Sequence, residues 1–163
     1  MPGHIPFRKA EAWLRATRSI WLASAGLDGR PHAAPVWFAW DGRSIYFCTG
    51  PTTAKHRNLR YQSSVTAHLG DGDDVLIARG RVAIVEDADD LDSVDELFGQ
   101  KYVDPHSGAS AGYPQSPTDV PYRIDIERFV VWEYGVVATR SDFVCDGGEW
   151  VTVPPARDGS LRR

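Results

Sequence analysis

Cysteine and lysine are both scarce in this sequence, and their scarcity excludes several classes of protein. The chain has 163 residues and two cysteines, Cys48 and Cys145. Two cysteines are too few for a disulfide framework, so we expect free, buried thiols. Lysine occurs only at Lys9, Lys55 and Lys101, which makes a lysine beside a helix start notable.

Long apolar runs and a positive net charge are absent as well. No apolar segment reaches the 18 or more residues of a membrane span, and the first residues lack the apolar core of a signal peptide. The formal net charge is −4, whereas a surface that binds nucleic acid is normally basic. The sequence therefore predicts a cytoplasmic globular protein with neither a membrane nor a nucleic acid as partner.

Histidine and serine patterns do not indicate a metal site or a hydrolase. The histidines considered are His32, His56, His68 and His106. They lack the i, i+4 spacing or the carboxylate partner of a zinc site, so we expect no metal. No serine lies on a nucleophile elbow, so serine hydrolysis is not expected.

Turn signals divide most of the chain into β-strands. The apolar run from Ile20 to Ala23 predicts a strand buried on both faces. Asp28-Gly29 and Asp41-Gly42 are two-residue hairpin signals and predict a three-strand meander from Trp21 to Thr49.

The later strands follow the same kind of pattern. A fourth strand is predicted from Val65 to Leu69 and a fifth from Val75 to Val85. Gly80 lies inside the fifth strand, where a bulge or barrel corner is expected. Alternating residues from Tyr122 to Trp132 predict a sixth strand.

Two helices and a long loop complete the pattern. Helical spacing predicts one helix from Arg8 to Ala16 and another from Asp89 to Tyr102. From Val103 to Pro121 the pattern is lost, and a loop of this length is often functional or mobile. A final hairpin is predicted between Phe143 and Val151, with a loose tail from Pro154. A closed six-stranded antiparallel barrel with helices at its mouths fits this order of elements.

The segment from Arg30 to Leu59 is the most informative part of the chain. The strand from Ser44 to Thr49 is followed by two threonines, of which Thr52 or Thr53 can cap a helix. A helix start suits an anion, and Lys55 in the first turn opposes the helix dipole unless a phosphate lies there. A capped surface helix with a solvated lysine is the alternative, since no Walker loop or Rossmann glycine pattern is present.

Five motifs in fixed order carry a family resemblance. They are DGRPH at 28–32, PVWF at 35–38, WDG at 40–42, YFCTGP at 46–51 and K-x-x-N-L at 55–59. With the strands that follow, they resemble the pyridoxamine 5′-phosphate oxidase-like FMN-binding split barrels. Within these, the sequence is most similar to the flavin- and deazaflavin-dependent reductases of actinobacteria. The resemblance extends over roughly Ala12 to Trp132.

The resemblance implies a mainly β fold: a six-stranded antiparallel split β-barrel with a few flanking helices. One domain is expected over 1–163, with about 143–163 as a partly loose C-terminal extension. It also implies a homodimer with a cofactor in each groove between subunits. The cofactor would be F-420 or FMN, which exchanges a hydride with a small-molecule substrate.

The resemblance also assigns cofactor-binding residues. Thr49, Thr52, Thr53, Lys55 and Asn58 would hold the phosphate end, with Arg57 or Arg60 near a longer tail. Val36, Trp37 and Phe38 would line the ring system. Trp132 is also expected to contact the cofactor. Weaker candidates for the substrate side or the dimer wall are Tyr61, Tyr113 and Trp132 itself. No catalytic residue is identified, and the substrate is not specified.

Two alternatives remain open at this point. A pyridoxamine phosphate oxidase would carry an arginine and histidine pair in the stretch from Phe129 to Arg140; Trp132, Gly135 and Arg140 match the motif, but no histidine follows. Vitamin B6 oxidation therefore has little support. The second alternative is a non-enzymatic haem or flavin binder with His32 as the haem ligand.

Overall fold

The computed structural model describes residues 4–134 and 138–155, which form an antiparallel sheet with three helices. The helices are α1 (Phe7–Ala16), α2 (Ala54–Leu59) and α3 (Ala88–Lys101). The strands are β1 (Ser19–Ala25), β2 (Pro31–Trp37), β3 (Ala39–Trp40), β4 (Ser44–Thr49), β5 (Ser64–Gly70), β6 (Asp74–Ile84), β7 (Val120–Tyr134), β8 (Ala138–Asp146) and β9 (Glu149–Val153). Both helices predicted from periodicity are confirmed to within one residue at each end.

Strand β1 is buried on one face only, contrary to the expectation of two buried faces. Ile20 and Leu22 are fully buried, whereas Trp21 between them is 47% exposed. Successive side chains of a strand point to opposite faces, so a run of apolar residues can place a large aromatic ring outside. An apolar run in the sequence cannot distinguish a covered outer face from an uncovered one.

The sheet follows the order β2-β1-β5-β6-β7-β4-β3, with the β8–β9 hairpin added beside β7. All strand pairs in this path are antiparallel. Its two ends, β2 and β3, are joined in sequence by the single residue Phe38. The sheet therefore curls into a barrel that no ladder among the described residues closes, contrary to the closed barrel expected from the sequence. The mainly β split barrel is confirmed, with one strand more on its path than the six expected.

Both predicted hairpins form, β1 with β2 and β3 with β4, but their union into one three-strand meander from Trp21 to Thr49 is wrong. β4 pairs with β7 and with the two residues of β3, not with β2. The strand is interrupted at Phe38, whose N–H donates a hydrogen bond of 2.8 Å to the Tyr102 hydroxyl. The same hydroxyl lies 2.9 Å from the Phe38 carbonyl oxygen. The Tyr102 side chain, at the end of α3, thus makes the hydrogen bonds to Phe38 that a neighbouring strand would otherwise make.

The bulge expected at Gly80 is confirmed. The register between β6 and β7 shifts between Arg79 and Gly80. A Cβ atom at Gly80 would lie 2.2 Å from the Asp125 carbonyl oxygen, far inside van der Waals contact. The absent side chain therefore allows the two longest strands to approach each other at the bend.

Two apolar clusters hold the elements together. The larger fills the barrel and includes Leu22, Phe47 and Phe129, and the helix α1 covers it through Ala10 and Leu14. The smaller cluster joins α3 to the outer side of β4 and includes Phe98, Tyr102 and Tyr113.

The segment from 103 to 121 packs against the smaller cluster instead of forming a free loop. Val103 and Ser110 form a β-bridge. The Tyr113 N–H donates to the Asp95 carboxylate at 2.6 Å, and the Tyr113 hydroxyl lies 3.1 Å from the Tyr122 carbonyl oxygen. A buried aromatic anchor without a repeating pattern around it could not be recognised from periodicity.

The predicted C-terminal hairpin is confirmed as β8 and β9. Phe143 is fully buried and stacks edge to face on Phe7, and Trp150 stacks on the same ring. Both Cys48 and Cys145 are free thiols; Cys48 is buried and Cys145 is half-buried. Residues 156–163 of the predicted loose tail, and Gly135 of the oxidase-like motif, lie outside the described residues.

Candidate cofactor site

Helix α2 begins at a capped turn, as the sequence predicts. Thr53 is the capping residue, and its hydroxyl accepts a hydrogen bond of 3.2 Å from the His56 N–H. The Thr49 hydroxyl lies 2.9 Å from the Thr53 hydroxyl, which fixes the end of β4 against the helix start. The helix has only six residues, so its dipole is small, and charge recognition here depends on side-chain cations.

Two adjacent clefts lie along α2. The wide cleft has a volume of about 700 Å³ and runs between the helix and the β1–β2 turn. The narrow cleft has a volume of about 300 Å³ and lies at the helix start. Arg57 and Tyr61 line both, so the two clefts adjoin at these side chains.

The linings of the two clefts differ in character. Leu27, Pro31 and Tyr61 give the wide cleft apolar walls, and Leu27 is 81% exposed. The narrow cleft is lined by Pro51, Thr52, Thr53, His56, Arg57, Arg60 and Tyr61. This set carries two arginines and no carboxylate. An apolar cleft that adjoins a cationic one suits a ring system with an anionic tail.

Two buried polar side chains, Asn58 and Ser24, and the half-buried His32 lie close together beside the wide cleft. Asn58 is 8% exposed and donates a hydrogen bond of 3.2 Å to the Ser24 hydroxyl. His32 lies directly opposite Ser24 in the β1–β2 register and lines the cleft. Its Nδ1 atom is buried and has no hydrogen-bond partner among the described residues. A buried nitrogen of this kind indicates a missing partner.

The five residues predicted for the phosphate end lie together at α2 but differ in their contacts. Thr52 is exposed and Lys55 is half-buried. Thr49 and Thr53 are hydrogen-bonded to each other, and Asn58 is bonded to Ser24. Thr52 and Thr53 line the narrow cleft and Asn58 the wide one, whereas Lys55 lines neither. Their roles toward a cofactor stay predictions.

The three residues predicted to line the ring system lie apart from the α2 clefts. Val36 is 7% exposed and Phe38 is fully buried in the barrel core. Trp37 is 40% exposed and stacks on Tyr102, with ring centroids 4.7 Å apart. In this arrangement only the Trp37 side chain is open to an external ring.

Trp132 lies on the outer face of the sheet with Trp21. In the register Trp21 is opposite His68, His68 is opposite Ile77, and Ile77 is opposite Val130, two residues before Trp132. Residues directly opposite in antiparallel strands share a face, so this face is continuous from β1 to β7. The candidate Tyr61 lines both clefts, whereas the candidate Tyr113 is buried in the smaller cluster.

The motifs point first to Lys55 and only then to the arginines of α2, whereas it is the arginines that line the clefts. Arg57 lines both clefts, Arg60 lines the narrow one, and Arg30 lies across the wide cleft. The i, i+3 spacing of Arg57 and Arg60 carries a signal that could have identified them, because residues so spaced share a helix face.

The buried thiol of Cys48 is not suited to act as a nucleophile. Burial raises the pKa of Cys48 to about 11, with the Asp119 carboxylate adding to the effect, so the thiol stays protonated at neutral pH. Across the described ranges, no cluster of histidine, cysteine and acidic residues is arranged to hold a metal ion. None of the helices α1 to α3 combines the length and apolar character that a membrane crossing requires.

Three solved structures illustrate what the chain is similar to. An FMN-binding protein from Nostoc punctiforme, related to pyridoxamine 5′-phosphate oxidase, is 17% identical with a TM-score of 0.62, and the match covers 94% of this chain and 99% of that one. An F420 reductase is 24% identical with a TM-score of 0.53, covering 73% and 94%. A heme-binding protein from Mycobacterium smegmatis is 15% identical with a TM-score of 0.64, covering 85% and 59%.

These identities are low, so the three structures establish the fold alone. None of the curated proteins matches the sequence. The family model of pyridoxamine 5′-phosphate oxidase, however, matches residues 7–133, which is well over half of the chain. The motifs of the segment from Arg30 to Leu59 lie inside this match. The chain therefore belongs to the pyridoxamine 5′-phosphate oxidase family of FMN-binding split barrels.

Proposed function

We propose that this protein is an oxidoreductase that binds the deazaflavin F-420, or FMN, along α2. The proposal rests on one observation above all: a largely apolar cleft of about 700 Å³ adjoins a narrow cleft whose lining contains two arginines and no carboxylate. A cofactor with a planar ring and a phosphate-bearing tail matches both parts. The family membership and a neighbouring F420 reductase of the same fold support the same assignment.

The charged end of the cofactor would lie in the narrow cleft. Arg57 and Arg60 line it, and Lys55 extends from the same helix. Thr52 is exposed and can donate its hydroxyl proton. Thr49, Thr53 and Asn58 would act mainly by fixing the helix, because their side chains bond to each other or to Ser24.

The ring end of the cofactor would depend on a second copy of the chain. Trp37 and Trp132, both predicted to contact the cofactor, lie away from the α2 clefts and on or near the outer sheet face. Trp21 on that face is 47% exposed and stacks on His68 with ring planes 10° apart. We infer that the outer face is covered in a homodimer, which would bring these tryptophans of one copy to the clefts of the other.

Bound F-420 or FMN would supply hydride transfer to or from a substrate stacked on its ring. The chain's own residues would bind the tail, orient the ring and exclude water. No side chain of the clefts is assigned as a proton donor. The substrate, described only as a small organic molecule, and the cytoplasmic location stay predictions.

A haem-binding function is the second candidate, because one observation favours it. His32 lines the wide cleft, and its Nδ1 atom is buried without a partner among the described residues. A heme-binding protein from Mycobacterium smegmatis has a similar fold. Histidine is a common axial ligand of haem iron, so His32 would be the residue that holds a haem in this cleft.

Separate titrations of the purified protein with F-420, FMN, riboflavin and haem distinguish these functions. We expect F-420 to bind most tightly, and FMN to bind more tightly than riboflavin, which lacks the phosphate. FMN affinity equal to that of F-420, or tenfold higher, would contradict the deazaflavin assignment. A Soret band that His32→Ala removes would favour the haem function instead.

Sedimentation tests the shared site. Trp21→Glu places a charge on the outer face and should yield a monomer with weakened cofactor binding. Ile84→Glu is the control, because Ile84 is 48% exposed, close to the 47% of Trp21, but lies at the end of β6. A wild-type monomer that holds cofactor at full occupancy would contradict the shared-site model.

A further inference from the structure

A third cleft lies between the ends of α1 and α3 and shares no lining residue with the clefts along α2. Its volume is about 550 Å³. This is within the range of pockets that bind small organic ligands. The lining consists of Leu14, Arg15, Ala16, Arg18, Ala39, Trp40, Leu97, Gln100 and Lys101. Three of these side chains are cationic, and none is acidic.

The cations in this cleft are incompletely neutralised. Arg15 pairs with Glu11 at 2.8 Å. Within the part of the chain that the structure describes, Lys101 and Arg18 have no carboxylate within 4.0 Å. The Arg18 guanidinium carbon lies 4.8 Å above the Trp37 ring, so its orientation is held by stacking instead of by an ion pair.

Lys101 is held at the inner end of the cleft. Its ammonium group lies 3.5 Å above the centre of the Phe38 ring and donates a hydrogen bond of 2.9 Å to the Leu14 carbonyl oxygen. That bond uses one of three N–H donors, which leaves two for an external acceptor. Burial lowers the pKa of Lys101 to about 8, so the ammonium is a cation whose lost hydration has not been replaced.

Trp40 forms a buried, largely apolar part of the cleft wall. The residue is 3% exposed, and its indole Nε1 is buried without a hydrogen-bond partner among the described residues. Because this nitrogen is buried inside the wall, a ligand in the cleft would meet the apolar part of the Trp40 ring and not its N–H.

We propose that this cleft binds a small organic carboxylate, with the carboxylate group between Lys101 and Arg18 and the apolar part against Leu14, Leu97 and Trp40. A single negative charge fits better than a phosphate dianion. Both α1 and α3 end beside the cleft, at Ala16 and Lys101 respectively, and helix C-termini carry partial negative charge.

Calorimetric titration with benzoate tests the proposal, with benzamide as the neutral molecule of matched shape and phenyl phosphate as the dianion. We expect benzoate to bind with heat and to quench tryptophan fluorescence, benzamide to show no binding at the same concentrations, and phenyl phosphate to bind more weakly than benzoate. Equal binding of benzoate and benzamide, or no binding of benzoate at 10 mM, roughly the weak limit for such a small ligand, overturns the proposal.

Matched variants locate the binding. Lys101→Met should lower benzoate affinity about tenfold or more, because it removes a charged hydrogen bond. Lys9→Met should leave the affinity within about twofold, since the Lys9 ammonium pairs with Glu133 outside the cleft. If Lys101→Met does not fold, Arg18→Gln at the exposed stack gives the same test. Benzoate binding that Arg57→Gln abolishes and the cleft variants retain would place the ligand at α2 and overturn the proposal.

Discussion

The hydroxyl of Tyr102 accepts a hydrogen bond of 2.8 Å from the backbone N–H of Phe38, at the one residue that separates β2 from β3. Both residues are buried, Phe38 completely and Tyr102 to within 2%. The hydroxyl also lies 2.6 Å from the Arg18 carbonyl oxygen. A single phenol thus satisfies backbone groups at the point where the sheet path begins and ends.

Tyr102→Phe should destabilise the protein by about 1 to 3 kcal/mol, because it leaves the buried Phe38 N–H without a partner. The Phe side chain retains the stacking surface toward Trp37, so the loss comes from the hydroxyl. Denaturant unfolding followed by tryptophan fluorescence measures the change. Tyr134→Phe is the control, since Tyr134 is 69% exposed. Equal effects of the two variants would show that the hydroxyl does not support the break.

Gly80→Ala and Gly99→Ala should change stability in opposite directions. A Cβ at Gly80 would lie 2.2 Å from the Asp125 carbonyl oxygen, and crowding of this kind costs about 1 to 3 kcal/mol. At Gly99, inside α3, the nearest atom would lie at an ordinary 3.7 Å, so alanine should add about 0.5 to 1 kcal/mol through helix propensity. Thermal melting of both variants measures the pair. A stable Gly80→Ala variant would mean that β6 and β7 are further apart than the structure shows.

The helix cap and the β-bulge of this fold could be predicted from the sequence, whereas the pairing of strands distant in sequence could not. The cap at Thr53 and the bulge at Gly80 each depend on a residue type with one strong local preference. The pairing of β4 with β7 joins segments about 75 residues apart, and it replaced the meander expected from the hairpin signal alone. Which strands pair with each other depends on how the whole barrel packs.

The same distinction applies to the candidate site. The K-x-x-N-L motif identified the correct helix, but the sequence does not show that the buried amide of Asn58 bonds to Ser24, 34 residues earlier. That the backbone or side chain of Phe38 lines the cofactor's ring system stays a prediction; the Phe38 ring itself lies in the core beneath the Lys101 ammonium. Alternation gives this direction, because Val36, Phe38 and Trp40 all lie in the core whereas Trp37 between them is 40% exposed.

Lys55→Met and Asn58→Ala should separate binding from stability. Lys55 is half-buried with no partner that fixes it in the described structure, so its loss should change stability by less than about 0.5 kcal/mol. A charged hydrogen bond to a phosphate is worth roughly 1.5 to 3 kcal/mol, so cofactor affinity should fall about 10- to 150-fold.

Asn58→Ala, in contrast, should lower the stability of the apo protein. It removes a buried hydrogen bond to the Ser24 hydroxyl and should lower stability by about 1 to 3 kcal/mol. Cofactor titration and melting of the apo protein, each at two salt concentrations, measure both variants. Cofactor affinity of Lys55→Met within about twofold of wild type would leave Lys55 as a solvated helix residue.

The lowered pKa of Lys101 should make the free energy of unfolding depend on pH. Burial lowers its pKa to about 8 in the folded protein, against about 10.4 in an unfolded chain. Between these values the unfolded state binds more protons than the folded state, so the free energy of unfolding should rise with pH. Below about pH 8 the ammonium is protonated in both states, and its contribution should be flat.

Comparison with Lys101→Met isolates this effect. The groups that face Lys101 are Arg15, Arg18 and Tyr102, and the pKa of Tyr102 is raised to about 12 by burial. Cys48, with its raised pKa, opposes the trend above pH 9, but it is common to both proteins. Denaturant unfolding at intervals from pH 7 to 9.5 should therefore show wild type gaining stability relative to the variant only above about pH 8. A constant difference would mean that Lys101 keeps an ordinary pKa, and a falling one would mean that a nearby acidic group stabilises the ammonium.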